Sequence, residues 1–154
     1  MKKKFLLLTV SAIFSILFAI PSQAEDMKGK FTVGLNYPGL GVRYFLNNKL
    51  CFELKGQSAD NVSVIGIRSY YYFKPKLPFV GLELDSVSFK GEESEGTGTA
   101  LELFIGGEHF FAKKMSVGFD IGPALISLAD KNYSVSVSGI EFVANFGINW
   151  YLGK

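Results

Sequence analysis

Apolar residues recur at every second position along most of this chain, most clearly in its last stretch, SGIEFVANFGINWYLGK. From Ile140 the even positions read Ile140, Phe142, Ala144, Phe146, Ile148, Trp150 and Leu152, while Glu141, Asn145 and Asn149 fall between them. A period of two is the signature of a β-strand with one apolar face. The run far exceeds the strand length of about 5–6 residues common in soluble domains.

The same alternation fills the region before it. Phe31, Val33, Leu35 and Tyr37 alternate with small or polar residues; after Pro38-Gly39 the parity flips to Leu40, Val42, Tyr44 and Leu46. Such a flip reads as a turn, giving eight strands, or as a bulge, giving seven. Further runs follow at Leu50–Leu54, Val62–Phe73, Val80–Leu84, Leu101–Ile105 and Val117–Ile121. Tight turns are expected at Asn47–Lys49, Lys74–Lys76 and Ala112–Lys114. Polar loops are expected at Gln57–Asn61, Gly91–Gly98 and Ala129–Asn132. After residue 25 there is no helical period. The pattern predicts an all-β, eight-stranded antiparallel up-and-down meander.

The start of the chain is different. Lys2, Lys3 and Lys4 precede an apolar run from Phe5 to Ile20, then Pro21 and the small-x-small site Ser22-Gln23-Ala24. This reads as a cleaved secretory signal peptide over 1–24, with a single domain over 25–154. The run is shorter than the ~20 residues a spanning helix needs. Losing three lysines from 16 basic residues against 14 acidic ones leaves a slightly acidic domain. A nucleic-acid surface is therefore not expected. The one cysteine, Cys51, cannot form an internal disulfide, so some other device must stabilise an exported domain.

The minor face of the strands is the informative one. It carries Arg43, Glu53, Lys55, Arg68, Glu83, Asp85, Glu102, Glu108, Asp120 and Glu141. In a transmembrane barrel the apolar face meets lipid and these charges face the lumen. Closure also satisfies every backbone group, as lipid requires. Aromatic clusters end alternate strands: Tyr44-Phe45, Tyr70-Tyr71-Tyr72-Phe73, Phe110-Phe111 and Trp150-Tyr151. In a meander those ends share one side, so Tyr44, Tyr71, Phe73, Phe111 and Trp150 are expected to form an interfacial girdle. The short turns beside them would then face the periplasm.

Distances in sequence from those turns place Arg43, Glu53, Arg68, Glu83, Glu108 and Asp120 in one half of the barrel. Glu102 and Glu141 fall in the other half. An unpaired charge in a narrow lumen is costly, so Arg43 and Arg68 are expected to bridge several carboxylates and plug it. The surplus acid would be protonated or reach water.

With its leader, its meander and strands such as GVRYFLNNKLCFELKG and VSGIEFVANFGINWYL, the chain resembles the small bacterial outer-membrane β-barrels of the OmpX, OmpW and OmpA barrel group. The resemblance covers the whole mature chain and is one of pattern. It implies residence in the cell outer membrane, contact with lipid and lipopolysaccharide, insertion by the outer-membrane assembly machinery, and a monomer. Some enzymes of this shape use a Ser/His/acid set on the outer surface. Here the lone His109 has Phe111, not serine, two residues on, and reads as an interfacial aromatic. Cys51 reads as a small lumen filler. No His/Cys metal spacing is present, and GEESEG lacks the ligand pattern of a calcium loop. No cofactor and no catalysis are expected.

The leading expectation is a structural or interaction barrel with a plugged lumen. The alternatives are a narrow channel for small or apolar solutes and a secreted lipocalin-like binder with inverted alternation.

Overall fold

In the computed structural model the described residues are 26–36, 39–73, 78–91, 95–131 and 136–152. The expected leader lies outside them. Eight strands close into one antiparallel barrel in chain order: β1 (Phe31–Asn36), β2 (Gly39–Phe45), β3 (Leu50–Ala59), β4 (Val62–Tyr72), β5 (Phe79–Lys90), β6 (Glu95–Ala112), β7 (Met115–Asp130) and β8 (Ser136–Leu152). Asn36 pairs with Gly39, so the chain reverses at the Pro38 parity flip and β1 and β2 are separate strands. β1 closes the barrel on β8 from Phe31↔Leu152 to Asn36↔Gly147.

Side chains alternate between outside and lumen, as the period of two dictates. Outward positions are large and apolar: Leu54, Ile67, Leu84, Leu103, Leu125 and Phe146 are all exposed. Towards the short-turn end the inward positions are mostly charged, polar or aromatic, and they are buried.

Several strands run further than the side-chain pattern suggests. β3 continues through Gln57, Ser58 and Ala59, so the expected loop at Gln57–Asn61 shrinks to Asp60-Asn61. Both turn residues have positive φ (42° and 69°), which Asp and Asn tolerate and which matches the twist of a tight hairpin. Glu95 to Gly98 likewise belong to β6, paired with Lys90 to Val87, and Ala129 and Asp130 belong to β7. The expected loop at Gly91–Gly98 therefore gives up Glu95 to Gly98 to the strand. Backbone pairing continues past the apolar zone because a hairpin ladder does not need apolar side chains once its register is set.

The rim at this loop end is uneven. Following the register from Asn36 through Gly39, Gln57, Val64, Val87, Gly98 and Leu128 leads to Val137, ten residues along β8 from Gly147, Asn36's direct partner. This stagger is the shear that closure of tilted strands requires. β6, β7 and β8 are long enough to follow it upward, whereas β1 and β2 are not. Ser136–Phe146 of β8 therefore rise past β1 with a ladder partner only on β7. At the other end the chain segment before β1 packs against the inner cluster. Met27 is buried there, its amide donating to Asn48 Oδ1 at 2.7 Å.

Candidate functional site: a filled lumen with an open cup

Each aromatic cluster divides by parity. Tyr44, Tyr71, Phe73, Phe111 and Trp150 stand outside, with exposures from 39% to 56%, at the short-turn end. Their neighbours Phe45, Tyr70, Tyr72 and Tyr151 point inward. These join Met27, Cys51, Phe79 and Phe104 in one buried cluster, with Phe110 packed against it. Ring centroids lie 5.3 Å apart for Tyr70–Phe79, Tyr70–Phe104 and Tyr72–Phe79, all edge-on. That geometry is favourable for aromatic quadrupoles. The interior of an eight-stranded barrel is only as wide as the side chains that fill it, and here rings fill its floor.

Above the floor lie the charges. Arg43 Nε is 2.8 Å from Glu53 Oε2, and its Nη1 is 3.5 Å from Glu108 Oε2. Arg68 Nε is 2.6 Å from Glu83 Oε2, and its Nη2 is 2.7 Å from Asp120 Oδ1. All six residues are at most 4% exposed. Each guanidinium also sits over a ring: Arg43 is 4.5 Å from the Tyr70 centroid and Arg68 is 4.2 Å from that of Phe104. Arg suits this role because its planar fork can serve two carboxylates and stack at once.

Lys55 is a third cation that the count from the turns leaves out. It pairs with Glu83, and its Nζ lies 3.3 Å from Asp85 Oδ2. Three cations still face six buried or half-buried carboxylates, and neutral donors serve part of the excess. Glu108 accepts hydrogen bonds from Tyr151 Oη (2.7 Å), Asn149 Nδ2 (3.0 Å), Tyr72 Oη (3.0 Å) and Ser116 Oγ. Glu53 accepts from Asn36 Nδ2 (2.6 Å) and from Tyr70 Oη. Inward-facing Tyr, Ser and Asn were legible by parity alone, but their role depends on which strands face one another across the lumen. Two glycines make room for these groups. A Cβ on Gly41 would strike the Glu53 carboxylate, and one on Gly66 would strike that of Asp85. Beside Arg43, Arg68 and Asp120 a void of about 10 Å³ remains, space for about one water molecule.

Towards the loop end the lumen changes character. A half-open cup of about 320 Å³ is walled by Val64, Val87, Ala124, Ile126, Leu128 and Val143. Its floor holds Lys55, Glu83, Asp85, Glu102 and Asn145. Glu102 is 4% exposed, with Oε2 3.5 Å from Asn145 Nδ2. Glu141 keeps the expected inward parity, opposite Ala124 on β7, and is exposed. It stands on the part of β8 beyond Gly147, where β1 does not pair with it.

His109 lies on β6 opposite Val117 and is half-buried. Cys51 is a buried free thiol in the aromatic floor. Among the described residues no group of His, Cys, Asp and Glu could hold a metal ion. No family model matches this chain, and neither a curated protein nor a solved structure matches it.

Proposed function

We propose that this chain is an outer-membrane β-barrel with a closed lumen, acting through its presence and contacts in the membrane and not as a catalyst. The observation that carries this reading is the inversion of ordinary polarity, with Arg43, Glu53, Arg68, Glu83, Glu108 and Asp120 inside and a continuous apolar wall outside. Lipid rewards that inversion and water penalises it. The girdle of Tyr44, Tyr71, Phe73, Phe111 and Trp150 supports an interface at the short-turn end, which the reading assigns to the periplasm. Lipid, lipopolysaccharide and the assembly machinery are its partners in this reading, and the barrel works as a monomer.

The lipocalin-like alternative needs the opposite parity, with Glu53, Glu83, Glu102 and Glu141 in water; Glu141 is exposed, but the burial of the other three weighs against it. The channel alternative needs a continuous path, and the packed rings and ion pairs at the short-turn end weigh against that. Planar-bilayer recording tests the closed lumen: purified protein should give a flat baseline, and steady unitary conductance steps would overturn the reading. The membrane assignment has its own test. Leu84→Arg, on the outward face, should cost about 2–4 kcal/mol of folding stability in bilayers. An unchanged unfolding midpoint in lipid would contradict it.

A further inference from the structure

The cup at the loop end is apolar where the rest of the lumen is charged, and nothing in the plugged-barrel reading uses it. Its walls come from β3 to β8; neither β1 nor β2 contributes a lining residue. On that side β1 ends at Asn36 and β2 begins at Gly39, while β8 extends to Ser136. A second, shallower depression of about 390 Å³ lies over this low rim, on Gly39, Leu40, Gly56 and Ile65. It shares Gln57 and Val64 with the cup, and it reaches outward-facing Leu40 and Ile65. The two hollows adjoin at Gln57 and Val64.

The floor supplies polarity of one sign. Lys55 is engaged by Glu83 and Asp85. Arg68 is engaged by Glu83 and Asp120. Glu102 Oε1 and Asp85 Oδ1 each lack a hydrogen-bond partner among the described residues. A buried carboxylate oxygen without a donor is costly. We propose that the cup binds one amphipathic amine, its alkyl chain against Ile126, Leu128 and Val87 and its ammonium at Glu102 and Asp85. Such a head provides both the missing donors and the missing positive charge. An apolar cavity with a few convergent polar groups is the usual form of a small-molecule site, and this one is at the small end of the size range. In this proposal the outer hollow on Leu40 and Ile65 is the approach from the surrounding apolar phase. That route rests on the membrane reading; the binding itself does not.

The test is a titration followed by methyl NMR on the barrel in phosphatidylcholine nanodiscs, with decylamine, decanol and decanoate as probes. Decylamine should shift the methyls of Ile126, Leu128, Val87 and Val143 saturably, with contacts to the alkyl chain. Outward Leu84 and Leu103 should show only the linear drift of partitioning into lipid. Decanoate should bind at least about tenfold more weakly, the scale of one hydrogen bond to a charged group. Glu102→Gln should reduce decylamine affinity by a similar factor and narrow the difference between decylamine and decanoate. Linear, unsaturable shifts at the cup methyls would overturn the site. Equal affinity for amine and carboxylate would overturn the role of the acidic floor. The wild-type comparison of the three probes does not depend on any variant folding. If the protein instead proved soluble in water without detergent, the membrane reading would fall and the same titration would still judge the cup in buffer.

Discussion

Arg68 shows what a single buried cation does in this lumen. It holds Glu83 and Asp120 and lies against Phe104. Removing one partner of a buried pair costs about 3–5 kcal/mol because the other charges are left stranded. Arg68→Ala should therefore lower the unfolding free energy by that amount in equilibrium denaturation. Arg68→Lys should recover only part, since a point charge cannot reach both acids in a fork. Glu108 offers the complementary case, an anion served largely by neutral donors. Tyr151→Phe removes one hydrogen bond to a charged acceptor and should cost about 1.5–3 kcal/mol. A stability unchanged within error would mean that the remaining donors already suffice. Parity alone put Arg43, Arg68 and their acids inside the barrel. It could not show that Lys55 reaches Asp85, or that Tyr72, Ser116, Asn149 and Tyr151 converge on Glu108. Those contacts join strands far apart in the chain, and they exist only once the register and stagger are fixed.

At the scale of the strands, side-chain alternation located all eight and missed where several of them end. The apolar pattern of β6 begins near Leu101, but the strand begins at Glu95. Hydrophobic periodicity reports which residues need cover, and the ladder extends beyond them through Thr97 and Gly98, which need none. The exposure of Glu141 was not legible for a related reason. Its inward parity was legible, but the shortness of β1 and β2 on the other side of the seam was not. The aromatic clusters were read mainly as an outer girdle, although alternation sends every second ring inward. Glycines in the strands carry a prediction of their own. Gly66→Ala would place a methyl on the Asp85 carboxylate beside Lys55. It should destabilise the barrel and move the signals of Lys55 and Asp85, while Gly56→Ala, with nothing near its Cβ, should leave them in place.

Over the whole molecule the lumen is layered: rings at the short-turn end, ion pairs above them, and an apolar cup below an oblique rim. The first two layers suit a barrel that seals, and the third suits one that also holds a small guest. The oblique rim has a consequence for how the barrel assembles. Seven of the eight seams join strands adjacent in sequence, so each can form as a local hairpin. The eighth joins Phe31–Asn36 to Gly147–Leu152, nearly the full span of the described residues, and it does so through only six residue pairs. Loop-closure entropy opposes that contact most, and contacts of such sequence separation form late. This seam should be the last to zip and the first to part. Hydrogen exchange should find the amides of β1 opening well below the global unfolding free energy, while those of β6 and β7 open only with the whole barrel. Uniform protection across all eight strands would instead mark a ring that forms and breaks as one piece.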